Sequence, residues 1–174
     1  GCETQISWYD NIPVFSYILL LGKCRNCKSS ISIRYPLIEF ICGLMTVMLL
    51  SIYGISYEFF VIVLFCYMLI AITFIDIDHF IIPNEFIIFG LIVSFFAHAF
   101  NFLPISIVQG FYGIIAFGGT LFVMGALGTW TFKKEALGFG DVKLGLVLGS
   151  FLGVELSLLS LFLSFIFAAI MSII

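Results

Sequence analysis

Three aspartates carry the chemistry on offer in this sequence. Asp76 and Asp78 stand at the end of one apolar run, and Asp141 opens another inside Gly138-Phe139-Gly140-Asp141. Acids at the edge of very apolar segments are costly to keep there and are functional as a rule. Two carboxylates on facing helix ends can share a proton. The ionised one activates a water and the protonated one polarises a carbonyl, which is the chemistry of aspartic proteolysis. Residues two apart lie roughly 200° apart around a helix of about 3.6 residues per turn, so Asp76 and Asp78 cannot both face Asp141. Geometry leaves open which of them does.

Residues around these acids have competing roles. Gly138 and Gly140 permit positive φ and remove side-chain bulk, so a peptide can approach the backbone beside Asp141. The plainer role for Asp141 is to cap a helix. Lys143 either stabilises a carboxylate or anchors its helix at headgroup level, and His79 either tunes the acids or lies at the membrane edge. The acids would equally suit a transporter or channel that relays protons or binds cations. Position speaks against that alternative, because all three acids sit at run ends and none lies halfway along an apolar run.

A second cluster is made of thiols. Cys24 and Cys27 form a CxxC among Lys23, Arg25 and Lys28, and Cys2 precedes them. An odd, clustered set reads as metal binding before it reads as a disulfide framework. Cys42 and Cys66 lie inside apolar runs, where a thiol is simply a small hydrophobe.

The elements that must position these groups are membrane helices. Of the 174 residues 63% are hydrophobic and 10% charged, with mean hydropathy +1.26, which points to a polytopic membrane protein rather than a soluble one. No basic tract suggests nucleic acid. The first 35 residues are too charged to span, and Trp8–Leu21 suits the interface. Spans are expected at about Pro36–Ser51, Glu58–Ile75, Pro83–Phe100, Ile105–Trp130, Val142–Leu152 and Glu155–Ile174, the third opened by Pro83. The expected fold is therefore an all-α transmembrane bundle of about six helices. An N-terminal cytoplasmic cysteine segment (1–35) would precede a membrane domain (36–174).

Charge fixes the expected topology. All seven Lys and Arg fall in Lys23–Arg34 and Lys133–Lys143, so both regions are cytoplasmic by the positive-inside rule. Two helices separate Arg34 from Asp76, and two more separate Asp76 from Lys133. The loops at Asp76–Ile82 and Thr131–Asp141 then share the cytoplasmic face with the cysteine segment.

The sequence resembles a known family. Phe74-Ile75-Asp76-Ile77-Asp78-His79-Phe80-Ile81-Ile82-Pro83-Asn84 is similar to the first aspartate motif of bacterial type IV prepilin peptidases, and Glu135–Leu144 to their GxGD motif. Trp8–Pro13 and Ser32–Glu39 resemble the segments around their cysteine motif. The motifs occur in the family's order over nearly the whole chain.

The resemblance implies cleavage of the basic leader of prepilins and pseudopilins after a glycine, at the cytoplasmic face of the bacterial inner membrane. It assigns catalysis to Asp76 and Asp141 and makes Asp78 a supporting residue, with no cofactor for the proteolysis. It also implies methylation of the new N-terminus with S-adenosylmethionine, in a region that includes Gly22, Lys23, Arg34 and Glu39. Cys2, Cys24 and Cys27 would match three of four zinc thiolates, the remaining cysteine lying upstream of Cys2. An ion pair is the plainer reading of Arg34 and Glu39.

Overall fold

A computed structural model describes residues 5–173; Cys2 lies outside the described residues. The chain divides into two compact units, Gly1–Val63 and Leu64–Ile174.

The first unit opens with a 3₁₀ turn, Trp8–Asn11, and a five-residue helix α1, Phe15–Leu19. A hairpin follows, in which Lys23 bridges Ser30, Cys24 N–H donates to Ser29 O at 2.9 Å and Lys28 N–H to Cys24 O at 3.0 Å. Helix α2, Arg34–Tyr53, then runs for 20 residues, about the 30 Å needed to cross hydrocarbon. It is almost wholly exposed, with only Pro36 buried. Its length and composition suit lipid contact along its sides.

Helix α3, Tyr57–His79, begins in the first unit and ends in the second. The second unit continues with α4, Asn84–Ala99, and a long helix made of α5, Ile107–Ile114, a π-turn at Ile115–Gly119, and α6, Thr120–Phe132. Helix α7, Phe139–Ile173, closes the chain. Pro83 sits one residue before α4 as its N-cap rather than in its first turn.

All six expected segments are helical. Among the described residues four helices have the length and hydropathy to cross a membrane: α2, α3, the α5–α6 run and α7; the 16-residue α4 is shorter. The last two expected spans are joined in α7, which breaks at Gly153 (φ 68°, ψ −172°). Glycine takes this backbone conformation without steric cost.

Lipid tails are as apolar as leucine, so helices in a membrane associate through close packing of small residues and through polar contacts. The second unit uses both. Gly113 and Gly149 lie backbone against backbone, and a Cβ on either would collide with the other's carbonyl. A Cβ on Gly145 would meet Leu121 at 2.9 Å, and one on Gly90 would meet Val147 at 2.7 Å and Met68 at 3.0 Å. Phe117, Leu121, Val142 and Leu161 form the buried cluster between the π-turn, α6 and both halves of α7. Phe65 stacks on Phe151 with ring centroids 4.0 Å apart. Buried His98 holds Ser150 O at 2.9 Å and Ile105 O at 3.2 Å through its two ring nitrogens.

Candidate active site

Asp76 sits in the last turn of α3. The helix stops there because Phe80 adopts a left-handed conformation (φ 55°), with its N–H donating to Asp76 O at 2.8 Å. A bulky aromatic residue at positive φ is an outlier. It turns the chain into Ile81–Pro83, where Pro83 is extended (φ −65°, ψ 135°) and leads to α4.

Asp141 sits in the first turn of α7. Its N–H donates to Gly138 O at 3.1 Å, and the Gly138 amide hydrogen-bonds its carboxylate. That reach back to the residue before the helix is one arm of a capping box. Capping therefore does not exclude a catalytic role for the same side chain. Neither Gly138 nor Gly140 takes positive φ. What matters at both is the missing Cβ: at Gly138 it would stand 3.1 Å from Asp141 Oδ2, and at Gly140 3.3 Å from Ile82.

The two helix ends converge. Asp76, Gly138, Gly140, Asp141 and Lys143 all line one open cleft of about 350 Å³, and the charge of Asp76 acts on Asp141. The loops that charge counting places on one face of the membrane thus meet at this cleft. Asp78 does not line it, and His79 is exposed. Lys143 Nζ donates to Asn84 Oδ1 at 2.8 Å and stands 5.0 Å over the Phe139 ring. It therefore ties the start of α4 to the start of α7. Phe80, Ile81, Ile82, Asn84 and Phe139 complete the lining, and sequence reasoning gave none of them a role. A Pro-Asn pair opening a helix opposite a lysine was the available signal for Asn84.

The residues expected in metal binding and methyl transfer lie in the first unit. Cys24 and Cys27 are thiols at the tip of the hairpin, with Cys27 Sγ 3.0 Å from Ser29 Oγ. Among the described residues no group of three His, Cys, Asp or Glu side chains is placed to hold a metal. Gly22 is buried at φ 69°, and a Cβ there would touch Tyr17 Oη at 2.9 Å; its carbonyl accepts Ile31 N–H. Lys23 flanks the hairpin, and Arg34 opens α2. Glu39 Oε2 accepts the N–H of Val14 at 2.7 Å, holding that β-branched residue at φ 62°. Glu39 also lines a cleft of about 380 Å³ with Asp10, Tyr17 and Tyr35. Arg25 grips Asp10 with two bonds, at 2.7 and 2.8 Å.

The chain is similar to known proteins along its length. It is 34% identical over 178 residues to the prepilin leader peptidase/N-methyltransferase of Stutzerimonas stutzeri, covering 98% of this chain and 58% of that protein. It is 33% identical to the Pseudomonas putida protein of the same name, covering 99% of this chain and 59% of that one. The type 4 prepilin-like proteins leader peptide-processing enzyme of Escherichia coli is 33% identical over 156 residues, covering 87% of this chain and 56% of that protein. The chain thus spans 58–59% of the length of the first two relatives. No solved structure matches it. Residues 1–53 match the bacterial peptidase A24 N-terminal domain, and residues 63–173 the type IV leader peptidase family. With the second match covering most of its length, the chain belongs to the type IV leader peptidase family.

Proposed function

We propose that the chain is the catalytic part of an endopeptidase that removes the leader of type IV prepilins or pseudopilins after a glycine. The cut would fall at the cytoplasmic face of the bacterial inner membrane, with Asp76 and Asp141 as the dyad. The observation that carries this reading is the meeting of these two carboxylates in one open cleft, from the end of α3 and the start of α7.

The chemistry follows from the pair. One carboxylate is ionised and takes a proton from a water, whose oxygen attacks the carbonyl carbon of the scissile bond. The other is protonated and donates to the carbonyl oxygen. Collapse of the tetrahedral centre breaks the C–N bond as a proton passes to the leaving nitrogen. The absent Cβ of Gly138 and Gly140 leaves room beside Asp141 for a peptide backbone, Asp78 supports the helix end, and Lys143 with Asn84 holds the wall.

The names of the Stutzerimonas stutzeri and Pseudomonas putida relatives carry a second activity, N-methyl transfer, which we extend to this chain's N-terminal unit as methylation of the newly exposed amine. S-adenosylmethionine would supply the methyl group. The cleft bearing Glu39, Asp10, Tyr17 and Tyr35 offers the carboxylates and aromatic rings that suit its sulfonium cation. Gly22, Lys23 and Arg34 belong to the same unit. Cys24 and Cys27, with Cys2, would bind zinc and lock the hairpin.

The test is cleavage of a prepilin with a Gly-Phe junction, followed by gel in detergent. Asp76→Asn and Asp141→Asn should each abolish cleavage while the protein stays folded. Cleavage persisting in either variant rejects the dyad. Mass measured on the cleaved product, with and without S-adenosylmethionine, scores methylation separately.

A further inference from the structure

Helix α1 is built inside out. Ser16 is turned inward, 8% exposed, where its Oγ accepts Ile12 N–H at 3.1 Å and donates to Tyr9 O at 3.0 Å. Phe15, Ile18 and Leu19 share the opposite, outer face by their three- and four-residue spacing, and all are exposed. A helix on a water-facing surface shows the reverse order, polar outward and apolar inward. The chain on either side repeats the pattern. Trp8 is 81% exposed, and Leu21, at the left-handed turn that ends α1, is 84% exposed.

We propose that this face of the N-terminal unit is a membrane-docking surface that lies in the plane of an anionic leaflet. Phe15, Ile18 and Leu19 enter the boundary between headgroups and acyl chains, with Trp8 and Leu21 beside them. Lys23 and Lys28, both exposed on the hairpin, meet the lipid phosphates. Two observations select lipid over another occupant. The face belongs to the same unit as α2, whose length and hydropathy suit a membrane crossing, and Glu39 in the second turn of α2 accepts the N–H of Val14 just before α1, so the bilayer surface lies close to it. The adjoining segment also carries Lys23, Arg25, Lys28 and Arg34, and basic residues next to exposed apolar ones are the signature of an interfacial helix on anionic lipid. Docking sets the hairpin with Cys24 and Cys27 at headgroup depth. None of this rests on the peptidase reading.

Trp8 is its own reporter. The variant Trp130→Phe, at a residue 81% exposed, leaves Trp8 as the sole tryptophan. The full chain is placed in nanodiscs of phosphatidylcholine alone or with phosphatidylglycerol. Lipids brominated near the headgroup end of the acyl chain should quench Trp8 more than lipids brominated near the methyl end, and aqueous iodide should quench it weakly. Quenching should strengthen with phosphatidylglycerol. Lys23→Gln with Lys28→Gln should lower the docked-to-undocked ratio on anionic discs by about an order of magnitude. If Trp130→Phe fails to fold, the difference between wild type and Trp8→Phe gives the same readout. Trp8 that is open to iodide and blind to bromine overturns the proposal. So does shielding that disappears when discs are loaded with one chain each, which would mean that a second copy covers the face.

Discussion

The two units hold their shapes by different means. In Leu64–Ile174 the helices touch at backbone distance, and glycine is required wherever a Cβ would strike the neighbour's carbonyl, as at Gly113 and Gly149. In the N-terminal part of the first unit the chain is short of regular structure. It is pinned by single polar contacts: Glu39 on Val14, Ser16 on Ile12 and Tyr9, Arg25 on Asp10. Helix α2 joins this network near its start, through Glu39, and Gly43 beyond it faces open space. The proposed dyad belongs to the closely packed unit, at the ends of two of its helices. The hairpin proposed for zinc sits where constraint comes from a few side chains.

The largest expected effect tests that contrast directly. Gly149→Leu should destroy the folded state of the second unit, because the collision is with backbone and no rotamer relieves it; even Gly149→Ala should cost about 3 kcal/mol. Gly43→Ala in α2 should be neutral or stabilise by up to about 1 kcal/mol, since nothing opposes the added methyl and alanine favours a helix. Thermal unfolding in detergent measures both. Equal tolerance at the two sites would break the comparison.

Next comes the Lys143–Asn84 contact in the cleft wall. Lys143→Met and Asn84→Ala should each slow leader cleavage by about tenfold, the scale of one lost charge-assisted hydrogen bond. The double variant should be little worse than either single one, because both remove the same contact. Cleavage rates across the four-member cycle decide it, and additive losses would show that the residues act apart.

These sites differ in how far the sequence reveals them. The helical segments were legible because apolar runs of spanning length admit few alternatives in lipid. Asp76, Gly138, Gly140 and Asp141 were legible because glycines and acids stand out in such runs. Lys143's partner was not, since a contact between residues 84 and 143 depends on how α4 and α7 cross. Gly138 and Gly140 permit positive φ, yet it occurs instead at Phe80, beside Asp76. Nothing in the residue type signals that, because phenylalanine disfavours this conformation. The break at Gly153 was legible too, because that glycine lies in the gap between the two expected spans, Val142–Leu152 and Glu155–Ile174. The polar pins of the first unit were the least legible, because each joins residues 4 to 25 positions apart without periodicity.

Phe80 gives a smaller effect of opposite sign. A non-glycine residue in the left-handed region costs about 1–2 kcal/mol. Its side chain is 87% exposed, so little packing offsets that cost. Phe80→Gly should raise thermal stability by about 1 kcal/mol while lowering cleavage, because Phe80 lines the cleft beside Asp76. Stability and activity moving in opposite directions would mark backbone strain held at a working site. Leu21→Gly, at the matching turn of the first unit, should stabilise without touching cleavage.

The smallest effect is a pH response confined to the hairpin. The two bonds from Arg25 hold the Asp10 carboxyl below the usual carboxylate range and raise the Arg25 guanidinium in turn. A group whose folded-state pKa is depressed stabilises the fold above its unfolded value and loses that contribution as pH falls through the folded one. The hairpin should therefore be indifferent to pH near neutrality and loosen only below the ordinary carboxylate pKa, about 3.9. The Arg25 side chain is 51% exposed and so open to solvent screening, and the response should be small and should shrink further in high salt. Hydrogen exchange at the Cys24 amide, which donates to Ser29 O, reads it out. Asp10→Asn should exchange faster at neutral pH and show no further acid step. The Gly113–Gly149 contact contains no titratable group, so amides around it should stay protected through the same window. If the hairpin kept its protection in acid while those amides opened, the polar pin would not be what holds the first unit together.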